Sequence, residues 1–284
     1  RLLPCGRKRQ VNLLDLRIPL RRRRLDEIFD LAVIVLKSNH WRYGRILFPF
    51  TLSCIAINYG VTKLVKEDVL ANGMIVLLLL FESSVLQMIF NALNGRIVFE
   101  LKPRFRDVLA DTKQTAPVYI GRMAILNTLY YTLLFPFIIP PVRALFTHFF
   151  MGEVIILERL RGAPLGLRAA ALARGQGDRI VGFFVFSCLM FLAGLVSTVY
   201  GLSSMRELMG GWAEKNIPSP GFAPTGVVFQ LVFFPSIAYF CLVRFLLYLD
   251  TRIAGEGWDI ELLLARGIQE TQQEPEARYE RRSA

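Results

Sequence analysis

Residues 74–93 read MIVLLLLFESSVLQMIFNAL, a 20-residue apolar run with one carboxylate, Glu82, near its middle. At about 1.5 Å of rise per residue such a run spans the roughly 30 Å of hydrocarbon in a bilayer. Glu82 is costly there unless it is paired, protonated or facing water. Working outward, comparable apolar stretches lie at 46–62, 119–139, 142–157, 180–200 and 226–248. The chain of 284 residues is 54% hydrophobic, with a mean hydropathy of +0.42. The pattern predicts an all-α integral membrane protein with six transmembrane helices.

The formal net charge of +11 would suggest nucleic acid in a soluble protein, but the distribution of charge argues otherwise. Of the 34 Lys and Arg, 12 precede the first span, six run from Arg96 to Arg122, five from Arg159 to Arg179 and six from Arg244 onward. The opposite loops hold only Lys63, Lys66, Arg143, Arg206 and Lys215. An excess of 29 over 5 on one side is a positive-inside signature and predicts cytoplasmic termini. It also supports the weakest span, 142–157, because without it the basic loop 159–179 would lie outside. The partner expected for the basic side is a bilayer carrying anionic head groups, at about 1 kcal/mol per well-placed cation. Nucleic acid is not expected.

Residues 1–24 read as a basic cytoplasmic segment, 25–268 as the membrane domain and 269–284 as a polar, disordered tail. No stretch reads as a signal peptide, and because the chain opens on Arg1 rather than Met, further N-terminal residues are expected. Cys5, Cys54, Cys188 and Cys241 have no C-x-x-C spacing, which predicts neither disulfides nor a zinc site.

Three cytoplasmic stretches share a layout. LDEIFDLAVIVLKSNHWRYGR (25–45) places Leu25, Ile28, Phe29, Ala32, Val33 and Leu36 on one helical face before the first span. FRDVLADTKQTAPVYIGR (105–122) and LGLRAAALARGQGDR (165–179) follow the same plan before the third and fifth. We read three units, each an amphipathic interfacial helix followed by a membrane hairpin.

The stretches RRRRLDEIFDLAVIVLKSNHWRYGRILF (21–48), ILERLRGAPLGLRAAALARGQGDRIVG (156–182) and LLYLDTRIAGEGWDIELL (246–263) resemble bacterial multi-pass proteins akin to the membrane domain of glycerophosphoryl diester phosphodiesterases. That resemblance implies a membrane module. The family's separate catalytic domain has no counterpart in the sequence, so its activity is not carried over.

Signatures of catalysis are missing: no G-x-x-x-x-G-K-[ST] loop, no H-E-x-x-H and no G-x-S-x-G. The two histidines, His40 and His148, are far apart in sequence, and His40 beside Trp41 reads as an interface residue. Catalytic, cofactor-binding and metal-ligating residues are therefore all expected to be none.

The informative residues are polar ones inside the spans. Ser83, Ser84, Gln87, Asn91 and Asn94 share one helical arc, predicted to face neighbouring helices, whereas Glu82 points elsewhere. Glu82 lies about 12 Å and His148 about 9 Å below the outer face, at 1.5 Å per residue, so they are the expected pair. Near the inner face, Arg122 and Glu153 fall on adjacent spans and form a second expected pair. Ala193, Ser197 and Gly201 make a small-residue strip suited to close helix approach, within the chain or with a partner. Together these features predict a non-catalytic scaffold or accessory subunit of a larger assembly in a bacterial plasma membrane. The alternative is a transporter for lipid-like or small polar solutes, in which Glu82 is a working group.

Overall fold

The computed structural model describes residues 23–65, 67–99, 104–124, 146–209 and 222–256. Among these the chain is helical throughout: α1 (Leu25–Ser38), α2 (His40–Leu64), α3 (Asp68–Phe99), α4 (Phe105–Tyr119), α5 (Met151–Glu153), α6 (Ala163–Ala173), α7 (Gly177–Met209) and α8 (Val227–Glu256). A π-helical turn, Ile120–Ala124, extends α4, and another, Val154–Glu158, extends α5. Four segments, His40–Leu64, Val69–Val98, Gly177–Met209 and Val227–Gly255, are long and apolar enough to cross a membrane. The chain is thus a multi-pass membrane protein. Of the other two expected spans, 119–139 is described only to residue 124, and 142–157 only from residue 146. The basic N-terminal segment to residue 22 and the polar tail lie outside the described residues.

The bundle is organised around α8, which packs against α1, α2, α3, α6 and α7. Its sequence explains this position. From Phe234 onward it carries apolar side chains on every face, and Leu242, Val243, Phe245, Leu247 and Tyr248 are completely buried. A helix that is apolar around most of its circumference gains most from burial where neighbours surround it. By contrast α2 and α7 bury only part of their surface and leave Phe48, Leu52, Ile57, Val185, Leu189 and Leu192 exposed, as lipid-facing helices do.

The amphipathic helices dock on this core. α1 buries Ile28, Phe29, Ala32 and Val35, and the Phe29 ring lies 3.9 Å from Phe186 and 6.4 Å from Phe183, centroid to centroid. Val33, expected on the buried face, is 52% exposed and Val35 takes its place. The reason is that α1 wraps the α7–α8 seam, so its contact stripe is rotated from the purely periodic one. Gly182 allows that approach: a Cβ there would stand 2.7 Å from Leu25 Cδ2. α4 turns Val108, Thr112, Thr115 and Tyr119 inward against α3, and α6 turns Leu165, Ala169 and Leu172 inward. α1 precedes the α2–α3 pair and α6 precedes the α7–α8 pair, the order of elements read from the sequence.

Candidate functional site

Polar side chains gather at two levels inside the bundle. At the first, the Asn58 amide on α2 donates to Glu82 Oε2 on α3 and to Gln230 Oε1 on α8, each at 3.1 Å. Gln230 Nε2 in turn donates to the Pro224 carbonyl at 3.2 Å. The Cys54 thiol, one turn before Asn58, also hydrogen-bonds Glu82. Asn58 and Gln230 are wholly enclosed and Glu82 is 8% exposed. Three helices are thereby tied by neutral amides and one carboxyl group.

The expected Glu82–His148 pair is not formed. His148 is exposed, and its charged neighbour is Arg122. Depth along each span was a one-dimensional argument. The helix that shares Glu82's face is α2, which supplies an amide at the right height.

At the second level, Arg244 Nε on α8 donates to Glu153 Oε1 at 2.7 Å. Glu153 is 0% exposed. Asn91, Tyr119 and Gly152 surround the pair: a Cβ added to Gly152 would stand 3.1 Å from Asn91 Nδ2, 3.1 Å from Tyr119 Oη and 3.2 Å from Arg244 Nη2. Glycine lets three polar side chains close in here without displacement; any Cβ would make them give by a few tenths of an ångström. The expected partner of Glu153, Arg122, is exposed on the turn after α4. Arg244 takes its place because α8, which packs against α1, α2, α3, α6 and α7, carries its guanidinium to Glu153. The signal was present in the sequence: Arg244 is a cation inside a long apolar segment, and such a group requires a counter-charge.

The polar arc on α3 meets its neighbours as expected. Tyr43 on α2 donates to Asn94 Oδ1, and the Cys241 thiol on α8 donates to Asn91 Oδ1 at 3.0 Å. Ser83 and Ser84 instead donate to the Leu80 carbonyl of their own helix, each at 2.9 Å. Around Asp250, Glu158 and Asp111 the bonding becomes ionic. Arg179 Nη1 lies 2.8 Å from Asp250 Oδ2, Arg168 Nε 2.9 Å from Glu158 Oε2, and Arg96 Nη2 2.7 Å from Asp111 Oδ2. Tyr248 donates to Glu158 Oε1 at 2.8 Å.

The small residues of α7 face two ways: the expected strip Ala193, Ser197 and Gly201 stays on one face, and Gly194 beside it turns to the other. Gly194 lies against α8, where an added Cβ would meet Val232 Cγ1 at 3.5 Å, and Leu195 and Val199 are buried. Ala193, Ser197 and Gly201 are exposed on the other side, and nothing stands within 4 Å of a Cβ at Gly201.

A cavity of about 450 Å³ opens between α2, α3 and α4. Its walls are mostly apolar (Phe50, Ile57, Val85, Ile89 and Leu109 among them), with Arg45, Glu82 and the Cys54 thiol as the ionisable lining groups. Among the described residues no cluster of three or more His, Cys, Asp or Glu has the geometry to hold a metal ion, and Cys54, Cys188 and Cys241 are free thiols. Set against known protein families, curated proteins and solved structures, the chain matches none.

Proposed function

We propose that the protein is a non-catalytic scaffold or accessory subunit of a larger assembly in a bacterial plasma membrane, with six spans and both termini in the cytoplasm. The observation that carries this reading is the exposed strip Ala193, Ser197 and Gly201 on the outward face of α7. Small residues one turn apart let a second helix approach closely, and lipid gains nothing from them. The buried ion pair agrees. Glu153 and Arg244 are spent on each other in the centre of the bundle, where a transporter would keep ionisable groups converging on a solvent-filled site.

Purification of the full chain in mild detergent, with identification of the chains that come with it, tests the reading. Ser197→Trp should release the partner while the chain itself stays folded, and a cysteine at Ser197 should crosslink to the same partner. A lone monomer giving saturable solute uptake in liposomes overturns it. Orientation is tested separately. A cysteine at Asn216 should react with an impermeant reagent from outside and one at Arg174 should not. Arg174 suits this better than Gly175, whose φ of 77° disfavours any side chain.

Transport of a lipid-like solute is the second reading. It is favoured by one observation, the groove that reaches Glu82.

A further inference from the structure

The groove between α2, α3 and α4 has a polarity of its own. Its lining on α2 runs from Arg45 to Ile57, which is about 18 Å at 1.5 Å per residue. Ile46, Phe50 and Val85 line this length, and Phe105 and Leu109 of α4 close it on one side. Pro49 lies in the wall. Having no N–H, it leaves the Arg45 carbonyl without its helical partner and weakens α2 where the groove opens. The volume of about 450 Å³ is within the usual range for a small-ligand site, about 300–1,000 Å³.

Charge marks one end. Arg45 lines the groove, is exposed, and has no carboxylate partner among the described residues. Arg104 and Arg106, both exposed, flank Phe105 in the sequence. The nearby carboxylates on α4, Asp107 and Asp111, are already engaged by Arg96 at 3.6 and 2.7 Å. At the other end the Glu82 carboxyl is held by Asn58, leaving the middle of the groove to hydrocarbon. An elongated apolar slot with a free guanidinium at one end complements a molecule with a long chain and an anionic head.

We propose that this groove binds one acyl chain of an anionic phospholipid of the inner leaflet, with the phosphate held by Arg45. A zwitterionic phospholipid fills the slot equally well but gains less from the cation. The leaflet follows from the orientation proposed above; binding in detergent, where there are no leaflets, does not depend on it. A failed lipid titration and a failed topology experiment are therefore distinct results.

The test is native mass spectrometry of the full chain in mild detergent, titrated with dioleoyl phosphatidylglycerol or with dioleoyl phosphatidylcholine at the same concentration. The wild type should retain one phosphatidylglycerol, preferred about five- to tenfold over phosphatidylcholine. Arg45→Gln should bring phosphatidylglycerol down to the phosphatidylcholine level without changing the latter, and Arg45→Lys should keep most of the preference. Ser53→Trp, which fills the slot from an exposed position, should displace both lipids, with a thermal melt reporting that each variant is folded. Equal retention of the two lipids by the wild type, or an unchanged preference in Arg45→Gln, overturns the proposal. So does full retention in folded Ser53→Trp, which would place the lipid elsewhere, or a groove that binds neither lipid and crosslinks through a cysteine at Ser53 to another protein chain.

Discussion

Glu82 and Glu153 are both enclosed in the bundle, yet they are held in different ways. Glu153 is fully sealed and meets a guanidinium, Arg244, at 2.7 Å. Glu82 borders a groove and meets an amide and a thiol. The difference follows from what each site can reach. A fully desolvated carboxylate needs a cation to offset the loss of water, and Arg244 supplies it at Oε1 of Glu153, whose Oε2 accepts no hydrogen bond among the described residues. A carboxyl group on the wall of a groove keeps one side open and can be satisfied by neutral partners. The Glu153 level locks the helices together by charge; the Glu82 level ties them by interchangeable hydrogen bonds.

The contrast is broken most directly at Arg244. Arg244→Met leaves Glu153 buried without its counter-ion and should cost about 3–5 kcal/mol, read as lost yield of folded protein and a lower Tm. Adding Glu153→Met should recover much of that loss, because an apolar pair of similar volume needs no desolvation; strictly additive losses would show that the two residues do not act as a unit. Next in size is Gly152→Ala, whose methyl meets Asn91, Tyr119 and Arg244 at 3.1–3.2 Å. The packed site must shift, at about 1–3 kcal/mol. A melting temperature equal to the wild type's would mean that the three side chains give way freely.

At the other level the effects should be smaller. Glu82→Ala removes the acceptor of Asn58 Nδ2 but leaves that amide bonded to Gln230, for a cost of about 1–2 kcal/mol. Glu82→Gln keeps an acceptor and removes the charge, and should change stability by less than about 1 kcal/mol. The Gln variant also separates the two functional readings. Normal stability together with complete loss of a demonstrable transport activity would make Glu82 a working group and displace the scaffold proposal.

Much of the architecture could be read in one dimension. Segment 74–93 lies within α3, the arc from Ser83 to Asn94 is buried against α2 and α8 at Asn91 and Asn94, and α1, α4 and α6 are amphipathic helices where periodicity placed them. Pairing was less legible. Arg122 and His148 were attractive partners by depth and by neighbourhood along the chain, yet Glu153 bonds a residue 91 positions away. Glu82 bonds Asn58, 24 positions before it, an uncharged residue inside an apolar span.

Apolar length, helical period and the distribution of Lys and Arg are properties of successive residues, so the sequence by itself determined that this chain is helical and built for a membrane. Partner choice is decided by which helix occupies the centre, and that depends on all the contacts at once. Only the tertiary structure put α8 there, because its large apolar surface gains most from being surrounded and its few polar groups find partners on the neighbouring helices. Arg244 then reached Glu153, the small residues of α7 were left facing outward, and the slot beside α2 stayed open.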